Sequence, residues 1–342
     1  METSSKSQTN TVAPDSSISV SLKDRLILVL KFLLVGLVFY YLYQKGFVNA
    51  ESFRRLVATP QIIAISVVLM LANTLLGTSR WKTLLDTQGA FLPYKRVLKL
   101  NLIGAFFNIS LPGAVSGDFI KAIYVAKQFK DKRAEVFGSM LFDRILGVTA
   151  MVLVAAFSAG LSVLLPWGGS LPPILLYSVG GLGIGSVLFF LYLFSSHKKD
   201  PLLHFLQFFT RRNEKLKTIE RLYHGVMGYR AHPKRVLKAV LLSIVIHVFL
   251  ILLAFFTSKA ICDVSVSVVA LAVIVPIGML ATTIPILPAG VGTGHAAFYA
   301  LFKMVGSEQG AEVFSVIVLY QVLLGLLGGL VYLKVSAEKD TP

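Results

Sequence analysis

Five ionisable side chains lie inside stretches that are otherwise apolar, and their types and spacing make them the first candidates for chemistry. They are Asp118, Lys121, Asp143, Arg144 and His295. Charged groups within a membrane are costly, so they are retained for function or in pairs. Asp143 and Arg144 would point about 100° apart on a helix, so each needs a partner elsewhere. Asp118 is the expected partner of Arg144, and Lys121 shares a helical face with Asp118.

These residues allow two compatible interpretations. The charged groups form a structural ion-pair network, or Arg144 or Lys121 binds a lipid phosphate, which a guanidinium fork fits in a bidentate manner. His295 is either a buried histidine hydrogen-bonded to the backbone, or a donor to an anionic ligand at a helix N-terminus. Asn108 and Asn73 are weaker candidates, because either can simply hydrogen-bond between helices.

Two similar stretches interrupt the apolar sequence, LPGAVSGD at 111–118 and LPAGVGTGH at 287–295. Pro112 and Pro288 cannot continue a helix interior. The accompanying glycines, which permit turns with positive φ, are Gly113, Gly117, Gly290, Gly292 and Gly294. Broken helices at corresponding positions of two halves indicate the binding site of a transporter. We therefore predict that both stretches contribute to one substrate site at mid-membrane.

The composition is that of a polytopic membrane protein. Of the 342 residues, 55% are apolar and only 15% are charged, and the mean hydropathy is +0.75. The net charge of +16 fits Lys and Arg in cytoplasmic loops rather than binding to nucleic acid. The single cysteine, Cys262, excludes an intrachain disulfide and a cysteine metal cluster. Catalytic and metal motifs are missing, so we expect no enzyme activity, cofactor or metal.

The apolar runs predict an all-α bundle of six full spans and two re-entrant hairpins. The spans cover about 26–43, 61–79, 136–165, 174–195, 237–258 and 312–333, and the hairpins lie within 93–135 and 266–305. Because the hairpins are three spans apart, we predict an inverted repeat with a first unit of about 26–165 and a second of about 174–333.

Basic residues set the predicted topology, with both termini in the cytoplasm. Residues 1–20 are a predicted disordered tail, residues 21–336 a single transmembrane domain, and residues 337–342 a second tail. The basic segment 196–235 is either an interfacial helix bound to anionic headgroups of the cytoplasmic leaflet or a plain loop. We expect Arg80 to reach water at the cytoplasmic boundary.

Small residues spaced four apart predict close helix packing at two places. The pairs are Gly181 with Gly185, and Gly325 with Gly329.

Four motifs occur in order along the chain: SRWKTLLDTQG (79–89), FFNISLPGAVSGDFIKAIYVAKQ (106–128), FDRILG (142–147) and ILPAGVGTGHAAFYALF (286–302). Together they resemble the lysylphosphatidylglycerol synthase/flippase transmembrane family, also catalogued as an uncharacterised UPF family of bacterial integral membrane proteins. In bifunctional members such a domain carries aminoacylated lipid between leaflets, and a soluble domain makes that lipid. The chain ends at Pro342, so we expect the translocase-like half alone. His295 departs from the acidic residue that many members carry there.

The resemblance and the residues together predict a lipid translocase of the bacterial inner membrane. The expected substrate is an anionic, polyprenyl or hopanoid-type lipid whose headgroup binds between the two hairpins. Two alternatives stay open at this point. One is an integral-membrane transferase that modifies a lipid, and the other is a non-transporting partner of a lipid or glycosyl transferase.

Overall fold

The computed structural model of the protein describes residues 50–337, apart from 111–115, 165–170, 196–199, 201–202, 206, 208–216 and 284–289, together with a few isolated positions between 36 and 49. The regular elements of these residues are all helical. The α-helices are α1 (Ala50–Val57), α2 (Pro60–Thr87), α3 (Tyr94–Ser110), α4 (Ser116–Gln128), α5 (Arg133–Leu164), α6 (Pro173–Phe194), α7 (Lys217–Met227), α8 (Pro233–Ile261), α9 (Val268–Ala281), α10 (Thr293–Lys303) and α11 (Gly310–Ala337).

Five helices in the described part of the chain, α2, α5, α6, α8 and α11, are long and apolar enough to cross a membrane. Each contains one of the predicted spans, which confirms the all-α polytopic bundle. The remaining predicted span, about 26–43, and the predicted tail 1–20 fall outside the described residues, as do residues 338–342.

Both predicted broken elements are pairs of short helices that pack against each other, α3 with α4 and α9 with α10. In the first pair the helices approach through glycine, because a Cβ on Gly117 would overlap the backbone carbonyl of Gly104. In the second pair Gly278 lies against the ring of Phe298. Entry of the two hairpins from opposite membrane faces stays a prediction.

The two halves of the bundle share one pattern of helix contacts. The sequence of elements α2, α3–α4 and α5 corresponds to α8, α9–α10 and α11. In each half the first arm of the hairpin packs on the preceding long helix, and the second arm packs on the following one. The first arm also packs on the last helix of the other half, α3 on α11 and α9 on α5. Each half thus needs the other to cover its hairpin.

The central pair, α2 and α8, bears on the predicted inverted repeat. Next to the start of α2, Arg55 Nη1 lies 2.5 Å from Oδ1 of Asp263, which follows the end of α8. At the end of α2, the carbonyl of Asp86 accepts a hydrogen bond of 3.3 Å from Arg235 at the start of α8. These equivalent helices are therefore antiparallel, as the predicted inverted repeat requires.

The two ends of the bundle differ in charge. At one end, Lys132 donates to the carbonyl of Gly89 (3.0 Å) and Arg230 to that of Leu193 (2.7 Å), so the turns there lie together. We call this the basic end; it carries Lys82, Lys95, Arg96, Lys99, Lys127, Lys130, Lys132, Arg133, Arg221, Arg230, Lys234, Arg235 and Lys238. The opposite end carries Arg54, Arg55, Lys259 and Lys303.

Glycine packing is confirmed at one of the two predicted places. Gly325 and Gly329 of α11 contact Ile109 and Phe106 of α3, so these two helices cross closely. By contrast, Gly181 and Gly185 of α6 are exposed, and no described residue outside α6 lies within 4 Å of a Cβ built on either glycine. Small residues spaced four apart permit a close approach of two helices, but they do not determine whether another helix packs there.

The basic segment 196–235 contains a helix, α7, which packs on α5. Gly225 of α7 lies against Gly138 of α5, and Val226 joins a buried apolar cluster with Phe142. Asp200 accepts hydrogen bonds from the hydroxyls of Tyr192 and Tyr223, which ties this segment to α6 and α7. Over its described residues the segment is thus a docked amphipathic helix rather than a plain loop.

Candidate functional site

Asp118 stands at the centre of the candidate site. It lies in the first turn of α4, where a carboxylate is favoured by the helix dipole. Its Oδ1 is 2.8 Å from Nζ of Lys121, and its Oδ2 pairs with Nη2 of Arg144 on α5. The predicted pair between Asp118 and Arg144 is confirmed, and it attaches the first hairpin to a spanning helix.

Lys121 is held from several sides. Its ammonium donates to Oδ1 of Asn101 at 2.9 Å and lies 4.4 Å from the ring centroid of Trp81. Asn101 in turn donates to the hydroxyl of Thr78 at 3.0 Å. The Lys121 side chain is only 7% exposed. It therefore joins α2, α3 and α4 and is fixed in place beside Asp118.

Asp143 has a partner that the sequence reasoning missed. Arg80 donates Nε to Oδ1 at 2.7 Å and Nη2 to Oδ2 at 2.9 Å, and its Nη1 donates to the hydroxyl of Ser243 at 3.0 Å. The Arg80 side chain is 13% exposed, so the expectation that it reaches water is wrong. The physical reason is the length of α2, whose 28 residues continue seven positions past Arg80 into a packed end of the bundle.

The cluster of Arg80, Asp118, Lys121, Asp143 and Arg144 contains three cations and two carboxylates. Arg144 has a 40% exposed side chain, whereas the other four are at most 13% exposed. Arg144 is therefore the cation of the cluster that a ligand can reach. Arg144 follows Arg133, the first residue of α5, by 11 positions, so it lies about 16 Å along the helix from the basic end.

The surroundings of Arg144 on α5 are apolar and outward-facing. Leu141 and Val148, three positions before it and four after it on the same helical face, are 37% and 38% exposed. A guanidinium between two outward-facing aliphatic side chains can be reached from the lipid. Chemically, it offers a forked cation that can bind a phosphate or carboxylate.

The other predicted residues of the first stretch shape the hairpin. Oδ1 of Asn108 accepts a hydrogen bond of 2.8 Å from the N–H of Gly117, which satisfies a free amide at the start of α4. Gly117 is needed for the contact with Gly104. Pro112 and Gly113 lie outside the described residues.

In the second stretch two of the predicted glycines have positive φ, 69° for Gly290 and 84° for Gly292. Gly294 has another reason to be glycine, since a Cβ there would overlap the ring of Phe314. Pro288 lies outside the described residues.

His295 is fully buried, and both of its ring nitrogens have partners. The N–H of Gly292 donates to Nδ1 (3.3 Å), so Nε2 carries the proton and donates to the hydroxyl of Ser315 (3.0 Å). Ser315 donates onward to the carbonyl of Ala311 (3.0 Å). The geometry is that of a structural histidine joining α10 to α11.

The described residues do not bring the two stretches into one polar site. Ile109 and Val291, which flank the breaks, belong to the same apolar core. Asp118, however, lies among charges, whereas His295 lies beside the ring of Phe314. The inverted halves thus differ in chemistry, and the charged cluster belongs to the first half.

Four further residues of this cluster carried weak sequence signals: Arg80, Trp81, Asn101 and Ser243. Arg80 could have been found from Asp143, because a buried carboxylate requires a cation nearby. Asn101 and Ser243 are single polar residues in apolar helices and give no such indication.

Comparisons with known proteins agree with this architecture. Residues 28–331 match the family described as the lysylphosphatidylglycerol synthase TM region. The chain is 21% identical over 341 residues to the UPF0104 membrane protein MJ1595 of Methanocaldococcus jannaschii, with coverage of 93% of this chain and 96% of the relative. No solved structure matches the chain. The protein is a multi-pass membrane protein that belongs to the lysylphosphatidylglycerol synthase transmembrane-region family.

Proposed function

We propose that this protein moves a lipid with an anionic headgroup between the two leaflets of the cytoplasmic membrane. The observation that carries the proposal is the position of Arg144, a cation of the charged cluster that is partly exposed between Leu141 and Val148 on an outward-facing stripe of α5. The family, named after a lipid-modifying synthase, places the protein in a lipid-related setting. A translocase needs a polar group inside the bilayer that a lipid headgroup can contact while the hydrocarbon chains of the lipid stay in the membrane.

The pairing of Asp118 allows Arg144 to exchange partners. Asp118 contacts both Lys121 and Arg144, and Lys121 is buried with it. When a lipid phosphate takes the guanidinium of Arg144, the carboxylate keeps Lys121 as its counter-ion. The exchange therefore leaves no buried charge unpaired, which would cost about 3–5 kcal/mol.

The hairpin supplies the element that can respond to this exchange. Asp118 and Lys121 are on α4, and Arg144 is on α5, so releasing one ion pair loosens the hairpin from the spanning helix. The Arg80 pair with Asp143 stays closed and holds α2 to α5 during the exchange. The pair of Arg80 with Asp143 is thus the fixed part of the cluster, and the pair of Asp118 with Arg144 is the part that can open.

We place the basic end in the cytoplasm, with the N- and C-termini on that side. The support is the concentration of Lys and Arg at that end, which is the usual bias of cytoplasmic loops.

Leaflet exchange in proteoliposomes tests the proposal. A fluorescent phosphatidylglycerol is incorporated with the purified protein, and the fraction that an impermeant reductant can bleach is followed with time. Arg144→Gln should slow exchange about 10- to 100-fold, which corresponds to the loss of one or two hydrogen bonds to a charged group. The matched control is Arg54→Gln, an exposed arginine at the opposite end, which should leave the rate unchanged.

Exchange by the unaltered protein at the rate of empty liposomes, for anionic and neutral lipids alike, would overturn the proposal and favour a non-transporting partner of another enzyme. Normal exchange by Arg144→Gln would retain a translocase but place its lipid path elsewhere.

A further inference from the structure

A groove lies between α4, α5 and α7 near the basic end, apart from the charged cluster. Its volume is about 380 Å³, within the ordinary range for a small-molecule site. Its wall is apolar and includes Phe119 of α4, Phe137 and Leu141 of α5, and Leu222 of α7. Phe119 and Leu141 are 49% and 37% exposed, so the groove opens outward rather than being an enclosed cavity.

Two arginines line this groove together with the apolar side chains. Arg133 is the first residue of α5, Arg221 lies on α7, and both residues are exposed. An apolar groove that is also lined by two cations fits an amphipathic anion, with a hydrocarbon chain along the apolar wall and a phosphate at the arginines. A soluble anion would use the arginines but not the apolar wall.

The groove leads toward the candidate site. On α5 the positions 133, 137, 141 and 144 follow a helical spacing of three to four residues, so they form one stripe of the surface. Leu141 lines the groove, and Arg144 lies three positions further along the same stripe. Next to Phe119 on α4 is Asp118, the partner of Arg144.

We infer that the groove between α4, α5 and α7 is a docking site for a lipid phosphate of the cytoplasmic leaflet, from which the headgroup passes along α5 to Arg144. This inference rests on the proposed function, and it identifies the site at which the substrate lipid binds before it crosses the membrane. Arg133 and Arg221 select an anionic headgroup, and the apolar wall holds the first part of a chain. The docked helix α7 is what makes one side of the groove.

Photocrosslinking tests the docking site without relying on transport. A photoreactive benzoylphenylalanine replaces Phe137 inside the groove, and a second protein carries it at Leu241, on an exposed apolar face of α8 at the same end. Both proteins are placed in phosphatidylcholine vesicles that contain a small fraction of tagged phosphatidylglycerol. Position 137 should capture the tagged lipid, and the double change Arg133→Gln with Arg221→Gln should lower capture on the order of 10-fold, since each cation near an anionic lipid contributes about 5-fold.

The charge-matched control is Lys234→Gln with Lys238→Gln. These lysines flank the exposed face of α8, and their removal changes the net charge by the same amount. Capture at position 137 should be unaffected by this control. High salt applied to the protein with both arginines intact should also lower capture, which keeps the test valid if the arginine variant misfolds.

Equal capture at positions 137 and 241, or capture at 137 that neither salt nor the arginine change lowers, would overturn the inference. If the arginine variant loses capture while Arg144→Gln keeps normal leaflet exchange, the groove binds lipid and the proposed path through Arg144 fails. If Arg144→Gln abolishes exchange and capture at 137 is independent of charge, the proposed function stands and the docking site fails.

Discussion

Removal of Arg80 should destabilise the protein more than removal of Arg144, although the sequence alone predicts that Arg80 reaches water. Arg80 makes three hydrogen bonds of 2.7 to 3.0 Å, two of them to Asp143, and its side chain is 13% exposed. Arg80→Gln would leave the carboxylate of Asp143, itself 9% exposed, without its cation.

The expected magnitude follows from burial. Breaking a buried ion pair by removing one partner costs about 3–5 kcal/mol. Hydrogen bonds between neutral groups of membrane helices average only about 0.6 kcal/mol, so the buried charge dominates the effect. Arg144→Gln should cost less than Arg80→Gln, because Asp118 keeps Lys121 as its counter-ion at 2.8 Å.

Equilibrium unfolding of the purified protein in detergent measures these free energies. The double change Arg80→Gln with Asp143→Asn removes both charges and should recover much of the loss, with a coupling energy of up to about 3 kcal/mol. Arg80→Lys should recover only part of it, because lysine keeps the charge but not the bidentate geometry. Strict additivity of the two single changes, or a larger loss from Arg144→Gln than from Arg80→Gln, would refute the reasoning.

Three further predictions concern the ends of the bundle and its packing. Burial raises the pKa of Asp200, but hydrogen bonds from two tyrosine hydroxyls and a backbone N–H lower it more, so the pKa lies below its ordinary value. Asp200 thus stabilises the folded state at pH values above its unfolded pKa of about 3.9, and this contribution is lost as the pH falls through its lower folded pKa. In a pH series of melting temperatures, Asp200→Asn should therefore show a smaller loss of stability on acidification. Burial raises the pKa of Cys262 to about 11, so the rate of labelling by an impermeant maleimide should increase about tenfold per pH unit between pH 7 and 9. The reagent should label Cys262 from outside intact cells. Labelling only after the inner face of the membrane is opened would contradict the proposed orientation. Gly328→Val should lower stability, because a Cβ there would overlap the carbonyl of Leu102, whereas Gly185→Val on the open face of α6 should leave the melting temperature unchanged.

The sequence predicts the long helices and the hairpins well, because their signals are local. Runs of about 20 apolar residues define spans, and Pro with Gly defines breaks. The ion pair of Asp118 with Arg144 was also predictable, since a charge in an apolar stretch requires a partner and few candidates exist. The inverted repeat followed from the odd number of spans between the hairpins.

The remaining features depend on contacts between residues that are far apart in the sequence, and local sequence patterns do not predict such contacts. Asp143 pairs with Arg80, 63 positions away, only because α2 continues past the point where its apolar run ends. Gly181 and Gly185 looked like a helix contact, but the fold brings no described neighbour to that face. The similarity of the stretches that end in Asp118 and His295 predicted one shared site, whereas the fold places the first among charges and the second beside Ser315 and Phe314.

The residues three positions after Asp118 and His295 differ in chemistry between the two halves. Lys121 follows Asp118, and Phe298 follows His295. Lys121 completes an ion-pair network, and Phe298 packs against Phe314 in the apolar core. Among the described residues, the two hairpins thus have corresponding helix contacts but differ in the chemistry of these positions.

Native mass spectrometry of the purified protein, released from mild detergent with its bound lipid, tests the central claim most directly. The account predicts a retained lipid that contains a phosphate and that is depleted in Arg144→Gln but not in the control Arg54→Gln. Retention of only uncharged lipids, or equal retention of the phosphate lipid by Arg144→Gln and the unaltered protein, would contradict the claim that Arg144 binds the headgroup.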